Sequence, residues 1–392
     1  MKPDVYLDHA AGAPLRPAAM AAYLEAAVPG NPHALHRSAR RARQVLDEAR
    51  EAVARELGAQ SAEVVFTSGG TEADALAVRG VFAARQEPSS RPYLLVGATE
   101  HHAVLENARL AGPAQVLAIP VGPDGRADVD FVASHLRRLG GQTALISLMA
   151  ANNETGVVQP VAEVAELAAA HGVPVHSDWV QAAGKARLDF GASGLAAASV
   201  SAHKLGGPVG VGALLAGRRT PIRALIGGGG QERGVRSGTV DARGAAGFAA
   251  ALAEANLEDP DALEAMLAPL DAFAESHPAL TALTPAAGHL PGLRNFTVAG
   301  ARGEALVYLL DQAGLACSTG SACTAGVAQP SHVLLAMGLG EAAARSALRV
   351  SLGHTSRPGD VSALVDALPE AIARAQAAAR VRPGAQAEAA PA

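Results

Sequence analysis

Along the chain, short apolar runs alternate with longer segments whose apolar residues recur at helical spacing. ARQVLDEAREAVARELGA (42–59) carries the helical pattern and ends at Gly58, a stop signal. EVVFTSGGTEADALAVRGVFAAR reads as a strand at 63–67, a glycine turn, and a helix from about Thr71. YLLVGATEHHAV predicts a strand and then a loop bearing His101 and His102. QVLAIPV and ALISLMAANNETG predict buried strands, the second ending in polar residues. VAEVAELAAAHG is a helix stopped at Gly172, and VPVHSDWVQAAGK a strand with Asp178 near its end. AAASVSAHK and GVGALLAG are two more strands. Strands alternating with helices predict an α/β fold whose mostly parallel sheet is covered on both faces.

The pattern changes beyond about residue 250. Helical DALEAMLAPLDAFAESH leads to LRNFTVAG and then to ALVYLLDQAGLACSTGSACTAG. Two more helical stretches follow, separated by ALRVSLG, and the whole reads as a smaller α+β domain. The expected division is a large domain at 12–250, a small one joining 1–11 to 251–380, and a disordered Pro/Ala-rich tail at 381–392. No internal repeat is visible. Alanine is abundant, and Ala-rich helices say little about which face they bury, so motifs carry more weight here than periodicity.

Composition narrows the function classes. A chain of 392 residues, 49% hydrophobic, is long enough for two cores. A net charge of −5 favours neither nucleic acid nor an anionic membrane surface. No run approaches the roughly 18 apolar residues of a membrane span. The start, MKPDVYLDHAAGAPL, lacks the basic and apolar regions of a signal peptide. The two cysteines, in CSTGSAC, are not a disulfide framework, and a cytoplasmic location is expected.

In open α/β sheets, ligands bind beyond the carboxyl ends of the strands. Those ends carry Gly70 and Thr71, His101, Asn153, Asp178 and Gln181, then Ser201, His203 and Lys204. Each alone has an ordinary structural explanation: a turn, a solvated loop histidine, a helix cap. Their recurrence at strand ends, in an order one pocket could use, argues for a site. A glycine turn opening a helix suits a phosphate, because free N–H groups and the helix dipole favour an anion there. GGTEAD is neither a P-loop nor a dinucleotide fingerprint, since no Gly-Lys-Ser/Thr and no third glycine follow. A phosphate, a lysine and a buried acid together point to pyridoxal phosphate, which needs the amine for a Schiff base and the acid beside its pyridine nitrogen. His33 and His102 have no metal-ligand spacing, and no metal is expected.

The motifs YLDHAAGAP, GNPHALHRSAR, VVFTSGGTEADALAV, TEHHAVLE, ANNETGVVQP, HSDWVQAAGK, SAHKLGGPVGVGALL, GGGQERGVRSGT, STGSACTAG and LRVSLG run in order from residue 6 to about 355. In them the chain resembles the cysteine desulfurases of the NifS/IscS type, in the class V aminotransferase superfamily. The resemblance implies fold-type I: a mainly parallel seven-stranded sheet sandwiched by helices, with a smaller α+β domain. It implies that Lys204 is the Schiff-base lysine and that Asp178 holds the pyridine nitrogen. Gln181 and Asn153 match residues on the phenolic oxygen; Gly70, Thr71, Ser201 and His203 match the phosphate site. Thr239 matches a residue that reaches the phosphate of the partner subunit, which implies a homodimer. His101 matches the histidine stacked on the ring, Arg349 the arginine gripping the substrate carboxylate, and Cys323 the sulfur-accepting nucleophile. The implied reaction turns L-cysteine into L-alanine and a Cys323 persulfide. The implied onward acceptor is a scaffold protein of the IscU type or a thio-modification protein. A selenocysteine lyase or other C–S lyase on the same fold is the alternative within the superfamily; a non-catalytic sulfur-transfer or scaffold partner is the alternative outside it. Cys317 reads as a small buried hydrophobe.

Two positions depart from the pattern. Trp179 stands where the family has a small alanine against the cofactor ring, and its volume leads to the expectation that it packs beside the site. Ala202 replaces a glycine, which is tolerable where the backbone avoids positive φ.

Overall fold

The computed structural model describes residues 5–256, 258–321 and 329–380. Cys323 and the expected tail at 381–392 lie outside them. Twelve strands occur among the described residues: β1 (Val5–Tyr6), β2 (Val64–Thr67), β3 (Tyr93–Gly97), β4 (Gln115–Ile119), β5 (Thr143–Ser147), β6 (Val175–Asp178), β7 (Ala197–Ser201), β8 (Gly212–Ala216), β9 (Leu280–Ala282), β10 (Leu293–Val298), β11 (Leu315–Ala316) and β12 (Ala347–Ser351). No described helix is long and apolar enough to cross a membrane.

Seven strands form one sheet in the order β2-β8-β7-β6-β5-β3-β4. All neighbours are parallel except those of β8, which runs against both β2 and β7. The expected mainly parallel seven-stranded sheet is therefore present. Strands β2, β5, β6, β7 and β8 are buried at every residue, as strands with both faces covered must be. The helix Arg37–Glu56 ends two residues before Gly58, whose φ of +63° suits the left-handed turn at a helix end. At its other end, His36 accepts from Ala39 N–H at 3.2 Å and caps the helix.

Contacts divide the chain into two units. The larger joins Gly12–Asn152 to Val158–Glu258 and contains the seven-stranded sheet. Its final helix, Ala242–Ala255, packs on the helices Pro17–Glu25 and Arg37–Glu56, and Arg16 pairs with Glu254 and Glu258 at its end. The unit thus runs to Glu258, past the expected boundary at 250, because that boundary falls inside this helix.

The smaller unit contains Asn153–Val157 and the chain from Asp259 onward, with the chain start through Ala11. Here β12-β10-β9 form an antiparallel sheet, and β1 pairs in parallel with β11. The helices Pro260–Ser276, Gly303–Gln312 and Pro358–Arg380 bury Leu267, Leu306, Leu310 and Leu364 against Phe296 and Leu348 of the sheet. Cys317 belongs to this core. Asn153–Val157 joins the unit through Thr155 C=O, which accepts from Thr284, and Glu154 C=O, which accepts from Asn295.

One loop of the larger unit holds two non-glycine residues in the left-handed region, Glu232 (φ 47°) and Arg233 (φ 59°). Such strain persists only where the surroundings over-determine it. The Glu232 carboxylate accepts two bonds from Arg50, at 2.6 and 2.8 Å, and a third from Phe66 N–H at 2.8 Å. The Phe66 ring lies 4.8 Å from the Arg50 guanidinium. Removing the charge of this buried pair from one side should be costly: Glu232→Gln is expected to lower the unfolding free energy by about 3 kcal/mol, read as a reduced urea midpoint with an unchanged slope.

Candidate active site

The carboxyl ends of β6 and β7 carry Asp178 and Ser201 as their last residues. Across the sheet, Ser201 and Thr67 both pair with Gly212 of β8, so the turn Ser68–Gly70 lies beside Ser201. That approach needs glycine: a Cβ on Gly212 would meet Val200 O at 2.6 Å and the Gly69 backbone at 2.8 Å. Gly69 itself has φ 149°, open to glycine alone, and Thr67 Oγ1 donates to its carbonyl at 2.9 Å. The helix that starts at Gly70–Ala75 continues through a π turn at Leu76–Gly80 into Val81–Ala84. Ser201 Oγ and His203 Nδ1 are 2.8 Å apart, and Lys204 follows in a short 3₁₀ turn at Ala202–Lys204. Ala202 avoids positive φ.

Asp178 is buried, and one oxygen accepts from Val180 N–H at 2.8 Å. Burial pushes its carboxyl up to about 6; the Val180 bond and the Lys204 charge act against the rise. Around it stand three ionisable groups that strand-end reading did not single out. Asp74 is pushed well up by burial and then by the charge of Asp178; Glu100, which accepts from Met149 N–H, is pushed well up for the same two reasons. His176 is pushed down to about 3 by burial and lies 2.9 Å from both Ser147 Oγ and Ser199 Oγ. His176 Nε2 and Asp74 Oδ1 are 3.6 Å apart; burial pushes the histidine down and the acid up, which opposes an ion pair between them. The charge of Asp178 is among the causes that raise both Asp74 and Glu100, so an ionised Asp178 opposes ionisation of either.

The remaining expected residues separate into those the larger unit gathers and those it does not. His101 caps the helix His102–Arg109, its Nδ1 accepting from Ala103 N–H at 3.1 Å. The neutral ring therefore carries its proton on Nε2. Gln181 is buried, and its Oε1 accepts from Lys185 Nζ at 3.4 Å, which makes the amide nitrogen its donating end. Thr71 is in the first turn after Gly70. Thr239 is exposed on a groove lined by Ala26–Gly30 and Val240–Arg243, which includes none of the glycine-turn residues. Asn153 and Arg349 belong to the smaller unit, where Arg349 Nη1 donates to Asn153 C=O at 2.8 Å. Trp179 is 3% exposed and packs edge-to-face on Phe190, with centroids 6.2 Å apart. Its indole is thus a packing element of the larger unit.

Residues 5–364 match the family model for class-V aminotransferases. The chain belongs to that family. It is 47% identical to an IscS-like cysteine desulfurase of Mycobacterium tuberculosis, over 97% of this chain and 99% of that protein. Among solved structures, a NifS-like protein from Rickettsia africae superposes with a TM-score of 0.84 at 28% identity, covering 94% of this chain and 99% of that one. A structure described as SspA in complex with cysteine superposes with a TM-score of 0.78 at 30% identity, covering 88% and 98%.

Class-V aminotransferases depend on pyridoxal phosphate, and the donor set described above fits that group. The Gly69–Gly70 turn at a helix start, with the Ser201 hydroxyl 4.0 Å from a Cβ built on Gly69, offers a cradle for phosphate oxygens. The inward-facing carboxyl of Asp178 lacks a cation bonded to it directly, which a protonated pyridine nitrogen would supply.

A titration follows from the raised Asp178 value. Its folded value lies above that of the unfolded chain, so the group favours folding below about pH 4. That contribution is lost as pH rises through about 6. In cofactor-stripped protein, the wild type should therefore lose about 2 kcal/mol relative to Asp178→Asn between pH 4.5 and 7.5. Urea unfolding of both proteins at the two pH values measures it; equal losses would mean that Asp178 is not the group that ionises.

Proposed function

We propose that the protein is a pyridoxal phosphate-dependent cysteine desulfurase that converts L-cysteine to L-alanine and keeps the sulfur as a persulfide on Cys323. The observation that carries the reading is the buried Asp178 carboxyl at a strand end, with the Ser201-His203-Lys204 turn and the glycine cradle beside it. The cysteine desulfurase name carried by a relative 47% identical over nearly the whole chain supports the substrate, as does the cysteine complex of a structural neighbour.

The cofactor, when bound, supplies an electron sink for the bonds at the substrate's α-carbon. Asp178 supplies the negative charge that keeps the sink's nitrogen protonated. Gly70, Thr71, Ser201 and His203 hold the phosphate, and Gln181 and Asn153 the phenolic oxygen. Lys204 anchors the resting enzyme and, as a free amine, takes the α-proton of cysteine. Arg349 takes the substrate carboxylate, and His101 moves a proton at Nε2. The Cys323 thiolate attacks the substrate sulfur and a new S–S bond forms as the carbon–sulfur bond breaks. The carbon gains a proton and leaves as alanine, and cysteine plus enzyme thiol become alanine plus enzyme persulfide.

The finer features belong to the same reading. The larger unit, Gly12–Asn152 with Val158–Glu258, is the cofactor-binding domain, and the smaller domain carries the Cys323 segment. The enzyme is a cytoplasmic homodimer in which Thr239 serves the partner subunit's phosphate. The sulfur passes to iron–sulfur cluster assembly through a scaffold of the IscU type, a role supported by the IscS-like name of the relative.

Incubation with L-cysteine followed by intact-mass and peptide analysis should find one added sulfur on Cys323, with stoichiometric alanine. Cys323→Ala should lose the adduct and form alanine at least about a hundredfold more slowly. Undiminished alanine formation in that variant would point to a C–S lyase that needs no protein nucleophile.

A further inference from the structure

Arg349 sits at the centre of β12 and is 3% exposed. A guanidinium so deeply placed needs a counter-charge. The smaller unit supplies one from the chain start: Arg349 Nη2 donates to Asp8 Oδ1 at 2.6 Å. Nη1 donates to Asn153 C=O at 2.8 Å, while the Nε–H is buried and has no hydrogen-bond acceptor among the described residues. Both backbones are fixed. Arg349 exchanges backbone bonds with Ser318, at 2.6 and 3.2 Å, and Asp8 forms a parallel bridge to Ser351. The pair is built into the strands, unlike a surface ion pair whose side chains wander.

Under the function proposed above, on which this inference rests for the identity of its ligand, Arg349 takes the carboxylate of an amino acid. It then faces two carboxylates, one of them resident. We propose that Asp8 is the resident counter-ion of Arg349, a positioning residue whose negative charge sets how tightly the site takes a carboxylate ligand. In the free enzyme Asp8 neutralises and aims the guanidinium; when a ligand arrives, its charge opposes the second carboxylate.

Removing the Asp8 charge has two effects of opposite sign. Losing a hold on the guanidinium weakens ligand binding, and losing a like charge strengthens it. The hold is redundant, because the Asn153 carbonyl and the burial of Arg349 in β12 remain. The repulsion has no substitute, so the charge effect decides the sign. Neighbours already register this field. The Cys317 thiol is pushed up to about 12 by burial and then by Asp8, and the Tyr6 hydroxyl is raised by the same two causes.

The test compares holoenzyme of the wild type, Asp8→Asn and Asp8→Glu by thermal unfolding and equilibrium binding, with propionate, L-alanine and the neutral isostere propionamide as probes. Asp8→Asn should unfold at a lower temperature in carboxylate-free buffer and recover in propionate but not in propionamide. It should bind propionate and L-alanine about three- to tenfold more tightly than the wild type, and its KM for cysteine should fall by a similar factor without a rise in kcat. Asp8→Glu, which keeps the charge, should bind the probes like the wild type. Carboxylate binding by Asp8→Asn equal to or weaker than that of the wild type overturns the proposal. If Asp8→Asn folds only with an added ligand, recovery in propionate alone supports the proposal, and recovery in both probes or neither overturns it. The unfolding and binding readouts need no turnover, so a wild type that fails to desulfurate cysteine yet shows the carboxylate pattern rejects the functional reading and leaves the counter-ion in place.

Discussion

The larger unit depends on a carboxylate placed where a carboxylate is costly. Asp178 closes β6 inside a sheet covered on both faces, and burial drives its carboxyl up to about 6. A lone ion in such a place would neutralise itself by taking a proton. Here the cost is contained in two ways. Burial and the Asp178 charge both raise Asp74 and Glu100, which disfavours two more negative charges beside Asp178. His176, held between two serine hydroxyls, stays neutral and offers no competing cation. Asp178 itself has a lysine close enough to favour its ionised form. Under the proposed function, a cationic ring nitrogen would complete the arrangement.

The sheet explains why these groups meet. Because β6 and β7 are parallel neighbours, their carboxyl ends fall on one edge; Asp178 pairs with Ser199, and Ser201 ends β7 two residues further on. The antiparallel β8 brings Gly212 between Ser201 and the glycine turn, and the missing side chain is what lets the turn come close. The strained Glu232-Arg233 turn shows the same economy at another point: a poor backbone conformation is held by one carboxylate that accepts three bonds. In the smaller unit, the chain start is part of the structure for a comparable reason, since Asp8 neutralises the buried Arg349.

Much of this was legible in the sequence. Alternation of short apolar runs with helical segments marks the seven-stranded sheet, and polar residues at the ends of those runs mark its functional edge. GGT, SDW and SAHK stand out because each interrupts an apolar run. Other features had no local signal. Asp74 and His176 lie inside a helix and a strand, where a charged residue reads as solvated or as a core histidine; only the folded sheet shows that they surround Asp178. Asn153–Val157 reads as the end of a strand segment, yet its backbone bonds to residues beyond 280 place it in the smaller unit. The limit of the larger unit at Glu258 depends on the packing of the helix Ala242–Ala255, which Ala-rich periodicity does not reveal. The volume of Trp179 predicts that it packs beside the site, but its partner Phe190 is visible only in three dimensions.

The central claim is that the amine of Lys204 and the carboxylate of Asp178 hold pyridoxal phosphate between them. The chain has three lysines, Lys2, Lys185 and Lys204, so the site of attachment can be read without ambiguity. The decisive measurement is borohydride reduction of the protein equilibrated with pyridoxal phosphate, followed by peptide mass mapping. The account predicts one equivalent of reduced pyridoxyl phosphate on Lys204, with Lys2 and Lys185 unmodified. A label on Lys185, or no stable label on any lysine, would contradict it.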